Sequence, residues 1–261
     1  MRNSLQLLVV SAVALSLGLA GCGNKQATNE TPATNAPTGK PVDATTSGSI
    51  TGTIKIDGTP PKMKIINMAA EPGCAKERAG QPAMTEDVVP GEDGTLQNVV
   101  VYLKGDFSQY AFTAPTTPVT IDQKGCQYHP HVLALMTDQP LQVINSDPVT
   151  HNIHPNPKDN REWNQSQPPG APPFEQDFAR QEIAIPVKCN IHPWMKMYIA
   201  VFANPYFEVT GKDGSFAIKN VPPGTYTVTA WHERYGVIEQ SVTIQPKESK
   251  SVTLTYKANA S

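Results

Sequence analysis

The 261-residue sequence has few charged residues, and the two signs nearly balance. Charged residues make up 17% of the chain, and the formal net charge is −2 at pH 7. A nucleic-acid-binding protein needs excess Lys and Arg to neutralise phosphates, and this chain has no such excess. Because its Lys, Asp and Glu are spread without a dominant patch, we expect neither a nucleic-acid partner nor a charged docking face.

A long amphipathic helical pattern is also missing. The chain has 25 Pro and 18 Gly residues, scattered evenly, and short alternating apolar and polar runs lie between turn residues. Such alternation predicts strands, since successive side chains of a strand face opposite sides of a sheet. The sequence therefore predicts an all-β protein.

One long apolar run is present, at residues 5–20, and it follows Arg2. This pattern is typical of a secretory signal and is too short for a membrane-spanning helix. The stretch LAGC, Leu19–Cys22, resembles the bacterial lipobox. The resemblance implies that residues 1–21 are a lipoprotein signal peptide and that lipid on Cys22 anchors an extracytoplasmic protein to a bacterial membrane, facing the periplasm or the cell surface.

Residues 22–47 have no aromatic side chain and almost no branched aliphatic ones. A tract rich in Thr, Asn, Ala and Pro cannot bury enough apolar surface to offset its ordering entropy. We predict a disordered tether here.

The stretch KCNIHPWMKM, residues 188–197, places Cys189, His192, Met195 and Met197 close together. A thiolate with imidazoles and a thioether suits copper. The competing interpretation is a buried core thiol at Cys189, since cysteine is commonly buried. A loop alone cannot surround a metal ion, so a further histidine has to come from a distant strand.

The chain has four cysteines, which constrain the pairing. If Cys22 carries lipid and Cys189 binds metal, Cys74 and Cys126 remain and would form a disulfide outside the cytoplasm. If Cys189 were itself in a disulfide, one of the other two would be a free thiol.

The upstream stretch NSDPVTHNI, residues 145–153, resembles the first-histidine segment of cupredoxins, and CNIHPWMKM is similar to the ligand loop of amicyanin. The likeness covers residues 96–204. It implies a Greek-key β-sandwich with one type 1 copper held by the ligands His151, Cys189, His192 and Met195. The spacing in plastocyanin would instead make Met197 the axial ligand.

The same resemblance implies roles for neighbours of the ligands. Asn152 would hydrogen-bond across to the cysteine strand, and Pro193 and Trp194 would keep water from the exposed edge of His192, the usual exit of the electron. His154 is a second candidate for the upstream ligand.

The C-terminal residues 205–258 resemble a different family. DGSFAIKNVPPGTYTVTAW, residues 213–231, is similar to the carboxypeptidase regulatory-like domain, which implies a small transthyretin-like β-sandwich. SITGTIKIDGTP, residues 49–60, looks like the first strand of such a domain, so residues 48–95 are possible parts of it. The sandwich would then be discontinuous.

These features predict a membrane-tethered, extracytoplasmic blue copper protein that carries single electrons between protein redox partners and is not an enzyme. The alternative is a cell-surface binding, adhesion or copper-handling module in which copper is structural or cargo. A copper oxidase or nitrite reductase would need an additional copper with an open position. His129, His131 and His154 would have to supply it, and we expect His129 and His131 to be structural or surface residues.

Overall fold

The structure is a computed structural model that describes residues 39–258. The predicted signal peptide, the lipidation site Cys22 and most of the predicted tether lie outside the described residues. Within the described part, none of the helices has the length and apolar character needed to cross a membrane.

The described chain is almost entirely strand and loop, which confirms the predicted all-β class. Its helical elements are α1 (Pro72–Glu77) and a 3-10 turn (Glu92–Gly94). The strands are β1 Gly48–Asp57, β2 Val100–Lys104, β3 Val119–Lys124, β4 Gln127–His129, β5 Val132–Met136, β6 Leu141–Asn145, β7 His151–Pro155, β8 Gln165–Gln167, β9 Phe174–Gln176, β10 Glu182–Lys188, β11 Lys196–Phe202, β12 Phe207–Val209, β13 Ser215–Val221, β14 Gly224–His232, β15 Gly236–Ile244 and β16 Ser249–Lys257.

The strands form two sandwiches, each with its own apolar core. Sheets β13-β1-β16 and β12-β2-β14-β15 enclose one core, and we call this unit the C-terminal sandwich. Sheets β5-β11-β10-β7-β8 and β4-β3-β6-β9 enclose the other, the central sandwich. Strand β1 pairs with both β13 and β16, so the C-terminal sandwich is built from distant parts of the chain.

Strand β2 differs from its predicted place in the copper domain, residues 96–204. It pairs with β12 and β14 of the C-terminal sandwich. Its side chains Val101 and Leu103 enter that core, while Val100 and Tyr102 pack in a third cluster with Phe202 of the central sandwich. Both faces of β2 are covered, so its sequence is a continuous apolar run. Such a run does not indicate which sandwich the strand belongs to.

The residues that precede β2 also pack in both sandwiches. Ile50 and Ile54 of β1 lie in the C-terminal core, but Met68, Cys74 and Ala83 lie in the core of the central sandwich. Residues 66–83 therefore belong to the unit that holds the candidate ligands, and not to the regulatory-like sandwich as the sequence suggested for residues 48–95.

The last residues of the predicted tether contact the folded unit. The Lys40 amide donates to the Gln109 carbonyl at 3.0 Å, and the Lys247 amide donates to the Thr46 carbonyl at 3.0 Å. These backbone bonds satisfy polar groups of a stretch that has little apolar surface to bury, which is why its composition did not predict them.

Two short strands cover edges of the central sandwich within the long Pro-rich connection before β10. Strand β8 pairs with β7, and β9 pairs with β6. The connection thus covers sheet edges beside the strand that begins with His151, where unpaired backbone groups would otherwise be exposed.

Candidate metal centre

Three side chains of the central sandwich converge at one end of neighbouring strands. His151 is the first residue of β7, Cys189 directly follows β10, and β10 pairs with β7 through Lys188 and His154. His192 lies in the loop that returns to β11. One ligand atom from each of His151, Cys189 and His192 lies within 4.8 Å of the others.

The two imidazoles present the same ring atom to a shared point. His151 Nδ1 lies 2.9 Å from His192 Nδ1, and Cys189 Sγ lies 3.8 Å from His192 Nδ1. All three side chains are buried, with exposed fractions of 0% for His151 and 3% for both Cys189 and His192. Of the cysteines in the described residues, Cys189 is the free one.

Asn152 connects the two candidate ligand segments through hydrogen bonds. Its Oδ1 accepts the Asn190 amide at 2.6 Å and the Cys189 thiol at 3.3 Å. Its Nδ2 donates to Asn164 Oδ1 at 2.7 Å. The end of β7 is thereby tied to the first turn of the ligand loop, and the Cys189 sulfur is held in place.

A buried carboxylate that the sequence reasoning missed orients His151. Asp147 Oδ2 lies 2.8 Å from His151 Nε2, and Asp147 also accepts the Gly125 and Cys126 amides at 2.5 and 2.7 Å. With Nε2 as donor to Asp147, the His151 tautomer leaves Nδ1 free to accept a metal ion. In the sequence Asp147 stands four residues before His151, but only the bend between β6 and β7 brings the two side chains together.

The surroundings favour the metal-binding forms of two candidate ligands. Although burial raises the pKa of the Cys189 thiol, hydrogen bonds to it bring the net pKa below its ordinary value. Burial, and then the nearby charge of His151, lower the pKa of His192. For His151, burial lowers the pKa, but the hydrogen bonds to Asp147 and Cys189 outweigh it and leave the pKa raised.

The two candidate axial methionines occupy different positions. Met195 lies within the ligand loop, where its carbonyl accepts the Cys189 amide at 3.1 Å and its own amide donates to the His192 carbonyl at 2.9 Å. Met197 is a β11 residue opposite Val187 in the core. Both side chains are buried. The position of Met195 fits a loop ligand, and that of Met197 fits core packing, so Met195 stays the predicted axial ligand.

The remaining upstream histidines point to other partners. His154 Nε2 lies 2.5 Å from Glu162 Oε1, and His131 is buried against Glu233. His129 is exposed, and its Nε2 lies 3.1 Å from the Lys124 carbonyl. None of the three joins the His151 cluster among the described residues.

The predicted exposed edge of His192 is covered. Cys74, which forms a disulfide with Cys126, places its Sγ 3.6 Å from His192 Nε2, and Glu71 Oε2 lies 4.0 Å from that nitrogen. The Trp194 ring packs 5.2 Å from the His192 ring between centroids. Pro193 is exposed and Trp194 half-buried, so the helix α1 region, far away in sequence, provides most of the shielding.

We expect Asp147→Asn to weaken copper binding by roughly 10–100-fold, because the amide no longer fixes the His151 tautomer as a carboxylate does. Competition between the metal-free chain and a copper chelator measures the change. Asp138→Asn, in a turn of the same sandwich, is the control and should leave the affinity unchanged. Equal affinities for Asp147→Asn and the unsubstituted chain would contradict the orienting role.

Comparison with known proteins gives one family match and several structural likenesses. Residues 203–257 match the family model of the carboxypeptidase regulatory-like domain. No curated protein is significantly similar to the chain.

The structural likenesses concern about a third of the chain. A Cu-containing nitrite reductase from Thermus scotoductus SA-01 is 20% identical with a TM-score of 0.31, over 33% of this chain and 22% of that chain. An amicyanin mutant in its Cu(I) form is 17% identical with a TM-score of 0.29, over 32% and 81%. A purple cupredoxin from Nitrosopumilus maritimus is 20% identical with a TM-score of 0.27, over 31% and 97%. The chain thus spans about a fifth of the nitrite reductase.

Proposed function

We propose that the chain is a membrane-tethered, extracytoplasmic copper protein that carries single electrons between protein redox partners. The observation that supports this most is the convergence of His151, Cys189 and His192 on one buried point, although the first histidine is far from the other two in sequence. Burying polar side chains costs free energy unless their polar atoms are paired. A metal ion bound by all three side chains would offset that cost.

The donor set fits copper. A thiolate and two imidazole nitrogens, with a thioether from Met195 as a weak fourth ligand, form the combination typical of type 1 copper sites. His151 Nδ1 and His192 Nδ1 face each other at 2.9 Å, close enough for both ring nitrogens to bind one cation. When bound, copper would supply a one-electron redox couple.

The residues around this point hold the ligands in place and exclude water. Asp147 orients His151, Asn152 fixes the sulfur of Cys189, and the cover over His192 leaves it 3% exposed. Ligands fixed by such hydrogen bonds need little rearrangement when the charge of a bound ion changes by one. Because the ligands are enclosed on all sides by described residues, we propose a carrier and not an enzyme.

The C-terminal sandwich acts as a scaffold in this proposal. Glu233, from the turn between β14 and β15, bonds His131 and also lies 3.1 Å from Lys196 Nζ at the start of β11. This buried carboxylate joins the two sandwiches beside the ligand loop. The lipid anchor on Cys22 and the tether would hold both sandwiches near the membrane, where partner proteins exchange electrons.

A metal titration tests the proposal. The purified metal-free chain should bind one Cu(II) per molecule and develop an intense absorption toward the red end of the visible spectrum, since a copper–thiolate bond gives that transition. Zn(II) should compete for the site without colour, because its filled d shell has no such transition. A colourless Cu(II)-loaded chain, or two coppers per chain, would overturn the proposal.

A further inference from the structure

We propose that electrons leave the centre through Trp194 and not through the edge of His192, and that a positively charged one-electron acceptor docks at the cavity beside Trp194. This inference rests on the proposed function. It comes from three observations: a cover over His192, the position of the Trp194 ring, and the charge around the cavity.

The cover consists of residues 71–78, which include α1, and it blocks direct access to His192. Glu71 and Cys74 both approach His192 Nε2, at 4.0 and 3.6 Å. With these groups in place, His192 is only 3% exposed. An acceptor that approached from this side would be separated from the ring by a whole helical turn.

The cover is anchored at a few points. Of the six residues of α1, Cys74 is the buried one, and its disulfide to Cys126 fixes the helix to the turn between β3 and β4. Arg78 Nε donates to the Gly125 carbonyl of the same turn at 2.7 Å. Gly73 lets the helix approach closely, because a Cβ at this position would lie 2.3 Å from Val149 Cγ1. The disulfide is therefore the main constraint that keeps His192 covered.

Trp194, unlike His192, lines a cavity in which an acceptor could dock. Its ring centroid lies 5.2 Å from that of His192, and its Nε1 donates to the Cys126 carbonyl at 3.1 Å, which fixes the ring orientation. Trp194 and Met195 also line a cavity of about 200 Å³. Electron tunnelling weakens steeply with distance, and the indole ring, which packs against His192 and lines this cavity, offers a seated acceptor a short route to the centre.

The cavity region is acidic, although the sequence led us to expect no charged docking face, and this acidity favours a cationic acceptor. Glu86 and Asp87 line the cavity, and Glu233 lies directly behind it through its contacts with His131 and Lys196. Lys196 Nζ pairs with both Asp87 and Glu233, so its single positive charge does not balance the three carboxylates. Opposite charge steers association and raises its rate. In the transfer the acceptor gains one electron and the centre loses one, with no proton or bond change required.

The first experiment compares Trp194→Leu with Trp163→Leu, a control that removes another half-buried tryptophan of the same sandwich. The reduced copper-loaded chain is mixed with tris(phenanthroline)cobalt(III), a cationic one-electron oxidant, and the return of the visible band is followed. We expect Trp194→Leu to slow oxidation by about tenfold, equivalent to roughly 1.4 kcal/mol in activation free energy. Each variant should still bind one copper per chain, and Trp163→Leu should oxidise at the original rate.

Charge is tested in the same assay. Added salt, or the substitution Glu86→Gln, should slow oxidation by the cobalt complex, because either weakens the attraction to the acidic cavity. Ferricyanide, an anionic oxidant, should be slower at low salt and should gain from both changes. If both oxidants responded to salt and to Glu86→Gln in the same direction, the docking site would be elsewhere.

A second variant, Cys74→Ala/Cys126→Ala, removes the anchor of the cover. In this background His192 becomes accessible, so adding Trp194→Leu should no longer slow oxidation. An equal loss of rate with and without the disulfide would show that the cover does not direct the route. An unchanged rate in Trp194→Leu alone would overturn the proposal outright.

Accessibility of His192 is measured without copper. Diethyl pyrocarbonate modifies exposed imidazoles, and peptide mass spectrometry locates the products. We expect His192 to be unmodified in the metal-free chain and modified in Cys74→Ala/Cys126→Ala, with exposed His129 modified in both as the internal control. Modification of His192 in the unsubstituted chain would refute the cover. Because this readout needs no metal, it is independent of the copper titration, and failure of one does not imply failure of the other.

Discussion

Cys189→Ser should abolish the intense visible absorption of the Cu(II)-loaded chain. The band depends on a copper–thiolate bond, and a serine hydroxyl is a harder and much weaker donor for copper. Copper affinity should fall by more than the roughly 10–100-fold that changes outside the ligand set typically cost. Absorption spectra of equally loaded samples and competition with a copper chelator measure both effects.

Two substitutions serve as matched controls for Cys189→Ser. Cys22→Ser changes a cysteine that is not among the candidate ligands, so the purified chain should keep its colour. Met197→Leu conserves the core volume in β11. If Met195 is the axial ligand, Met197→Leu should leave the absorption band in place, whereas Met195→Leu should shift the band. Retention of the band in Cys189→Ser would show that another residue supplies the thiolate, or that the colour has another origin.

Cys74→Ala/Cys126→Ala should lower the free energy of unfolding by roughly 3–4 kcal/mol. The disulfide closes a loop with a sequence separation of 52, which restricts the unfolded chain, and both cysteines are 0% exposed in the core of the central sandwich. Part of the loss comes from deleting two buried sulfur atoms, which leaves small cavities. Urea unfolding of the metal-free chain, followed by Trp fluorescence, measures the difference.

The control for the disulfide is Cys22→Ala, which removes one cysteine without breaking a cross-link and should not change the unfolding midpoint. Treating the unsubstituted chain with a phosphine reductant should reproduce the midpoint of the double variant. A loss below about 1 kcal/mol would show that the core and the Arg78 contacts hold the cover without the cross-link. Copper should raise the unfolding midpoint of both proteins, since a ligand that binds the native state stabilises it.

The ligand loop was predictable because its chemistry is local. Cys189, His192 and Met195 lie within seven residues, and a loop of that length keeps them together in any fold that forms it. The distant partner His151 could be found because the resemblance to a known segment supplied its position. Neither kind of reasoning identified Asp147, although it stands four residues before His151, since an aspartate in a turn is ordinary on its own.

The alternating stretch before Cys189 shows where a pattern misleads. Ile183, Ile185 and Val187 alternate and would share one face of a regular strand. In the structure Ala184 has a φ of 65°, and the pairing of β10 with β11 shifts between Glu182 and Ile185. Ile183 consequently packs in the cluster between the sandwiches, whereas Ile185 and Val187 enter the central core. A bulge depends on the partner strand, which a single stretch of sequence does not reveal.

The sequence by itself determined the all-β class, the regulatory-like strand pattern near the C-terminus and the identity of the candidate soft ligands, because periodicity and donor chemistry are properties of short segments. The tertiary structure decided which strands share a sandwich, that β2 serves both cores, and that Glu71 and Cys74 cover His192. These contacts join residues about a hundred or more positions apart. They depend on how the two sandwiches and their connections pack, which is an energetic outcome of the whole chain and not of any local stretch.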